Sequence, residues 1–327
     1  MHIEIFDTLD NIPPLNEGSP YHSAEFFRMV SLSGDAKPLM FVCYDNNKAV
    51  AHLMAVRRRE FRFIPFGIYT WYSIYDNGVY YDDSCDKEHI FSLFIEKLFS
   101  NVDYLHSFIE IRNLSDGRFA YKTLSDKEFY PFKCLRIYNS LHSRAPKDRL
   151  SRSYRSNIRK AEKRGVSYGR AITIEDIDTG LHLLRKYYTT KIRRHFPNVA
   201  ALRTLLIDDN NNLTEQAQLF VVRYKERIIG SSICMYEKGR AHLAYSCGLR
   251  KSYPLLYPGI ISIWAAITDA HQRGYDHFEF SETNLLARNG SGYIDTVLNF
   301  GGKQASTTRW FHFKWRWLNK ILRAIYV

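Results

Sequence analysis

The sequence predicts an α/β protein built from two copies of one mixed-sheet domain, and three observations carry that expectation. At 327 residues the chain exceeds the roughly 250–300 residues at which a single hydrophobic core stops growing. Residues 41–56, FVCYDNNKAVAHLMAV, resemble residues 220–236, FVVRYKERIIGSSICMY. Each reads as an apolar strand, a polar turn and a second apolar strand, and in each half a helix and another strand follow.

The elements fall in the same order twice. The first hairpin turns at Asp45-Asn46-Asn47, and a helix is predicted over 88–100, with Ile90, Phe91, Phe94, Ile95 and Leu98 at helical spacing. The strand FIEIRN then ends at Asn113. The second hairpin turns at Lys225-Glu226-Arg227, the helix runs from Gly259 to Arg273, and the strand HFEFSETN ends at Asn284. A helix crossing between two strands of one sheet makes each half a mixed sheet flanked by helices. The predicted domains are residues 1–145 and 146–310, with 311–327 as a C-terminal helix packing back on the first domain.

Composition narrows the partners. Hydrophobic residues at 45% and charged residues at 24% exclude a disordered, collagen-like or coiled-coil chain. A net charge of +12 points to an anionic partner: nucleic acid, nucleotide phosphates or acidic lipid. The five cysteines (Cys43, Cys85, Cys134, Cys234, Cys247) form no C-x-x-C pair, which predicts neither a disulfide framework nor a zinc knuckle. No metal-ligand spacing appears among the histidines. With no signal-peptide pattern and no apolar run near 20 residues, the expected location is the cytoplasm.

Much of the charge is concentrated between the halves. From Ser140 to Arg170 there are ten basic and two acidic residues, a local +8 of the total +12. Leu150, Tyr154, Ile158 and Ala161 recur every three or four residues, predicting an amphipathic helix over 147–165 that Gly165 stops. Arg152, Arg155, Arg159 and Lys163 share its other side. Such crowding of like charge destabilises a helix by a few tenths of a kcal/mol per pair, which a bound anion offsets. Arg155, Arg159 and Lys160 are the predicted anion ligands.

Three stretches carry a resemblance to a known family: PYHSAEFFR from Pro20, RSNIRKAEKRGV from Arg155, and YPGIISIWAAITDAHQRGYDHFEFSETN from Tyr257 closing on GSGYIDTVLNFGG from Gly290. From about residue 20 to 302 the chain resembles the Fem-like branch of the GNAT acyltransferases. That resemblance implies two tandem GNAT-like domains that transfer an acyl or aminoacyl group to an amine, often on envelope precursors. Relatives write F-D-F-G where this chain has Phe278-Glu279-Phe280-Ser281, and F-K where it has Thr296-Val297, so a pocket lysine is missing. The Q/R-x-x-G-x-G/A loop of acetyl-CoA-dependent members is replaced by Arg250-Lys251-Ser252-Tyr253-Pro254-Leu255-Leu256-Tyr257-Pro258-Gly259, whose prolines cannot supply the same row of N–H donors.

Acyl transfer to an amine needs a deprotonated amine, a polarised carbonyl and a protonated leaving group. The strand HLAYSCGL, His242 to Leu249, is the predicted source of a backbone oxyanion donor, and Tyr245 the proton donor to the leaving group. Glu279, on the strand face opposite Phe278 and Phe280, is the predicted base or amine-orienting group. Arg250, Lys251, Tyr253, Gly259 and Asn284 complete the predicted binding residues. The expected function is an N-acyltransferase with no permanent cofactor, using acyl-CoA or aminoacyl-tRNA as co-substrate. The expected acceptor is a large anionic molecule, such as an envelope precursor, in the cleft between the halves. The competing expectation is a non-catalytic protein that binds RNA or the inner membrane surface through a degenerate GNAT fold. In the tail, Phe311, Trp315, Leu318, Leu322 and Ile325 are predicted to form one apolar helical stripe bordered by Lys314, Arg316, Lys320 and Arg323. Burial on the first domain is preferred for it over an anionic bilayer.

Overall fold

In the computed structural model, residues 1–16, 18–59, 68–103, 105–114, 118–192, 196–280, 283–284 and 292–326 are described. The first half runs β1 (His2–Phe6), α1 (Ala24–Ser31), β2 (Ala36–Asp45), β3 (Lys48–Arg59), β4 (Ile68–Tyr75), β5 (Val79–Tyr80), α2 (Lys87–Asn101), β6 (Leu105–Arg112), α3 (Tyr121–Asp126) and β7 (Tyr130–Ser140). The second half begins with α4 (Pro146–Arg149), α5 (Arg152–Lys163), β8 (Ser167–Arg170), α6 (Ile174–Tyr187), α7 (Val199–Leu206), β9 (Ala217–Tyr224) and β10 (Arg227–Glu237). It continues with β11 (Arg240–Gly248), α8 (Pro258–Gln272), β12 (His277–Glu279), β13 (Thr283–Asn284), α9 (Gly292–Leu298), β14 (Lys303–Phe313) and α10 (Arg316–Tyr326).

Two compact units result: Met1–Cys134 with Ser306–Val327, and Leu135–Ala305. The division therefore falls ahead of the predicted 145/146 boundary, and residues 306–310 belong to the first unit. The cause is strand exchange. In the first unit the order is β1-β2-β3-β4-β6-β14, in the second β8-β9-β10-β11-β12-β7. Both orders have three antiparallel pairs, one parallel pair (β4 with β6, β11 with β12) and a closing antiparallel pair. The sixth strand of each unit comes from the opposite half of the sequence.

Local chemistry accounts for the shared pieces. Both hairpins close through two-residue turns with positive φ at each centre, Asn46 and Asn47 at 48° and 63°, Lys225 and Glu226 at 48° and 60°. Asparagine tolerates that region, whereas Lys and Glu there cost roughly 1–2 kcal/mol each, which the long β9–β10 ladder offsets. In the first unit α2 buries Ile90, Phe91, Phe94, Ile95 and Leu98 against the sheet, with Trp310 of β14 in the same core. In the second, α8 covers one sheet face and α5 joins the same core through Ile158 and Ala161, with Leu150 packing there just ahead of the helix. On α6, a Cβ at Gly180 would lie 2.7 Å from Leu219, so that helix sits close to β9.

The basic helix is shorter than predicted. Leu150 and Ser151 are extended (ψ 141° and 155°), the Ser151 hydroxyl accepts the Tyr154 N–H, and α5 starts only at Arg152. Gly165, at φ 85°, ends it as expected. The predicted strand HFEFSETN also breaks: the Phe280 N–H bonds to the Ile137 carbonyl, and β12 stops at Glu279. Ser281 and Glu282 lie outside the described residues.

Candidate active site

The break in β12 shapes the second unit. β11 and β12 pair in parallel over only three positions, Arg240↔His277, Ala241↔Phe278 and His242↔Glu279. β11 continues to Gly248, so from Leu243 onward one of its edges faces no strand among the described residues. Along that stretch β10 and β11 slip register, Ile233 opposing Tyr245 and Cys234 opposing Leu243, which leaves Ala244 as a bulge. Bulges re-aim neighbouring side chains and occur beside active sites. Here the bulge precedes Tyr245, whose half-buried ring meets Tyr188 and Phe196 edge-on at 5.3 and 4.9 Å. Tyr188 opens a π-helical turn, Tyr188–Ile192, that prolongs α6. Its hydroxyl accepts the Ser246 N–H at 3.4 Å, so a strand amide on the open edge already points at an oxygen.

Beyond Gly248 the chain turns into α8 at close quarters. A Cβ on Gly248 would lie 2.2 Å from the Gly259 nitrogen, and one on Gly230 would lie 2.8 Å from the Pro258 carbonyl oxygen, so only glycine permits this approach. Tyr257 caps α8 from the left-handed region (φ 50°) with no side-chain hydrogen bond to the first turn, and Pro258 occupies its first position. A Cβ on Gly259 would meet nothing within 4 Å, leaving open space at the helix start. Pro258 has no N–H and the Ile260 and Ile261 N–H groups bond to the Tyr257 carbonyl, so the Gly259 N–H and the positive end of the helix dipole are what this terminus offers an anion. Arg250 and Lys251 are exposed in the preceding loop, and Arg250 lies close enough to the Tyr154 hydroxyl of α5 to act on it electrostatically. The loop is fastened by Arg164, which donates to the Leu255 carbonyl, and by Arg227, which donates to the Tyr253 hydroxyl at 3.4 Å.

Where β11 and β12 part, Glu279 is 3% exposed. The Arg136 Nε of β7 lies 3.1 Å from Oε2, yet neither carboxylate oxygen has a hydrogen-bond donor in acceptable geometry among the described residues. Burial raises the Glu279 carboxyl above its usual range, against the opposing pull of Arg136, His242 and Arg240. Next to it on the same sheet face, His242 Nε2 lies 2.9 Å from Glu237 Oε1, each side chain 9% exposed. A buried carboxylate with free lone pairs and raised proton affinity can take a proton from an ammonium group.

The predicted residues therefore separate into groups. Tyr245, Glu279 and the open edge of β11 belong to the strand divergence. Arg250, Lys251, Tyr253 and Gly259 surround the α8 N-terminus. Arg155 stays half-buried on α5, its Nη2 donating to the Asp148 carbonyl at 3.4 Å, while Arg159 and Lys160 are exposed. Asn284 lies in β13. Sequence reasoning missed Arg136, Tyr188, Phe196, His242 and Arg164. Arg136 stands in the other half of the sequence from Glu279 and carries no local signal, whereas the Glu237–His242 pair spans the tight β10–β11 turn and was open to a cross-strand count.

Residues 149–286 match the sequence profile of an acetyltransferase (GNAT) domain. No curated protein matches the chain in sequence. In structure the chain is similar to FemX, with a TM-score of 0.66 and 12% identity over 96% of both chains. It is also similar to the C-terminal domain of a protein named as a lysylphosphatidylglycerol synthetase from Agrobacterium fabrum (TM-score 0.56, 13% identity, 93% of this chain and 92% of that one). A tandem GNAT protein from the clavulanic acid biosynthesis pathway matches at TM-score 0.51 and 9% identity, over 95% of this chain and 98% of that one.

Proposed function

We propose that the chain is an N-acyltransferase whose donor site lies in the second unit, a reading supported by the GNAT-domain match of residues 149–286 and by the similarity of its fold to FemX and to a tandem GNAT protein. The observation that carries this is the divergence of β11 from β12 beside an α8 N-terminus without a side-chain cap. An acyl donor with a phosphorylated carrier, acyl-CoA or aminoacyl-tRNA, fits: its phosphates go to Arg250, Lys251 and the first turn of α8, its acyl group to the open β11 edge.

On this reading a backbone amide of β11 near Ala244–Ser246 polarises the acyl carbonyl, in the position where the Tyr188 hydroxyl now accepts the Ser246 N–H. Glu279 takes the proton of the acceptor ammonium, directly or through one water. The amine attacks the carbonyl carbon, the bond to the carrier breaks, and the leaving group takes a proton from Tyr245, which is restored by the second proton that the attacking nitrogen loses as the amide forms. The exposed row Arg152, Arg159, Lys160 and Lys163 on α5 supports a polyanion, either the tRNA of the donor or a phosphate-bearing envelope acceptor. Thermal unfolding against a panel of acyl-CoAs and charged tRNAs is the test. One donor class should raise the midpoint, and Arg250→Glu with Lys251→Glu should remove that shift. No shift with any donor defeats the proposal.

A further inference from the structure

The C-terminal segment carries a surface that acyl transfer does not use. β14 ends at Phe313 and α10 begins at Arg316, so the predicted stripe from Phe311 to Ile325 is not one helical face. Asn319, 8% exposed, anchors the helix instead. Its Oδ1 accepts the Phe313 N–H at 3.0 Å and its Nδ2 donates to the Phe313 carbonyl at 2.8 Å. Leu318 beside it is half-buried. The opposite side is open: Trp317 is 61% and Ile321 48% exposed, one turn apart, and Trp315 just ahead of the helix is 44% exposed. Lys320 and Ala324 are exposed with them. From Lys314 to Val327 the sequence has four basic residues and no acidic one.

Large apolar side chains gathered on one exposed helix face mark a contact surface. Tryptophan favours the headgroup level of a bilayer, and a basic border adds attraction to acidic lipid. A second copy of this chain, also at +12, would bring like charge against like charge. We infer that α10 lies along an anionic lipid bilayer, seated through Trp317 and Ile321 with Trp315 and Lys320 at the headgroups. This docking is independent of the donor site and stands or falls apart from it.

The full chain is tested by co-sedimentation with phosphatidylcholine vesicles, with and without phosphatidylglycerol. Binding should be at least about 10-fold stronger to the phosphatidylglycerol vesicles, weaken with salt, and shift tryptophan emission to the blue. Trp317→Glu with Ile321→Glu should reduce that binding about 10-fold or more while the thermal midpoint stays in place. Equal binding to both vesicles, no binding, or a double variant that binds like the parent overturns the inference. So does a parent that is dimeric in solution and becomes monomeric in the double variant, because α10 would then be covered by a second copy.

Discussion

Each unit places a glutamate between two apolar core residues on its fifth strand and an arginine on the sixth, and the two glutamates end in opposite conditions. In the first unit Glu110 of β6 accepts hydrogen bonds from Arg112 at 3.0 and 3.1 Å and from Arg309 of β14 at 3.3 Å. In the second unit Arg136 lies 3.1 Å from Glu279, and neither Glu279 oxygen accepts a hydrogen bond among the described residues. The registers correspond, Phe311 opposing Glu110 and Tyr138 opposing Glu279, with the arginine two residues earlier in each case. The parallel pairs differ in the same sense. β4 and β6 remain joined to their ends, Tyr75 opposite Arg112 and the Asp76 N–H on the Arg112 carbonyl, whereas β11 and β12 part after three positions. The following helices differ too: Asp86 caps α2 by accepting the His89 N–H, among Asp82, Asp83 and Glu88, while α8 has no side-chain cap and basic residues before it. A duplicated framework supplies the glutamate–arginine pair in both copies, so that pair by itself is architecture. The opening of the strands is what makes one copy a candidate for chemistry.

The largest expected effect tests that distinction. Glu279→Gln should lower turnover about 10²- to 10⁴-fold, whereas Glu110→Gln should leave rate constants unchanged and lower stability by about 1–3 kcal/mol. Equal losses of rate in both variants would break the contrast. The pH dependence carries a sign. Because burial raises the Glu279 carboxyl, its contribution to stability is present below the unfolded value and fades as pH rises through the folded one. Glu279→Gln should therefore leave the neutral-pH melting temperature unchanged or higher, and remove the acid limb of the rate profile, which in the parent lies above the ordinary glutamate range.

Next in size, Gly248→Ala forces apart the β11 end and the α8 start. It should cost about 1–3 kcal/mol by denaturant unfolding and weaken donor binding. Normal donor affinity in a destabilised Gly248→Ala protein would separate the close approach from the donor site. Arg250→Glu with Lys251→Glu should weaken donor binding about 10-fold and flatten its salt dependence, read by titration at two ionic strengths. The smallest effect belongs to the capped helix. Asp86→Ala should cost about 1 kcal/mol of stability with no change in turnover, and any gain of donor binding there would show that the cap alone closes the first unit.

The sequence by itself determined the local pieces. Alternating apolar residues and polar turns specify both hairpins, the 3.6-residue recurrence of Ile90, Phe91, Phe94, Ile95 and Leu98 specifies α2, and Gly165 ends α5 because glycine accepts its positive φ. Strand alternation also put Glu279 on the face opposite Phe278 and Phe280. Tertiary structure alone decided that β7 and β14 exchange between units, that Arg136 meets Glu279, that Tyr188 and Phe196 enclose Tyr245, and that β12 leaves β11 after three residues. The reason is physical. A periodicity of two or 3.6 residues fixes which face of an element is apolar, but which element covers that face, and where two paired strands part, depends on contacts between residues far apart in the chain.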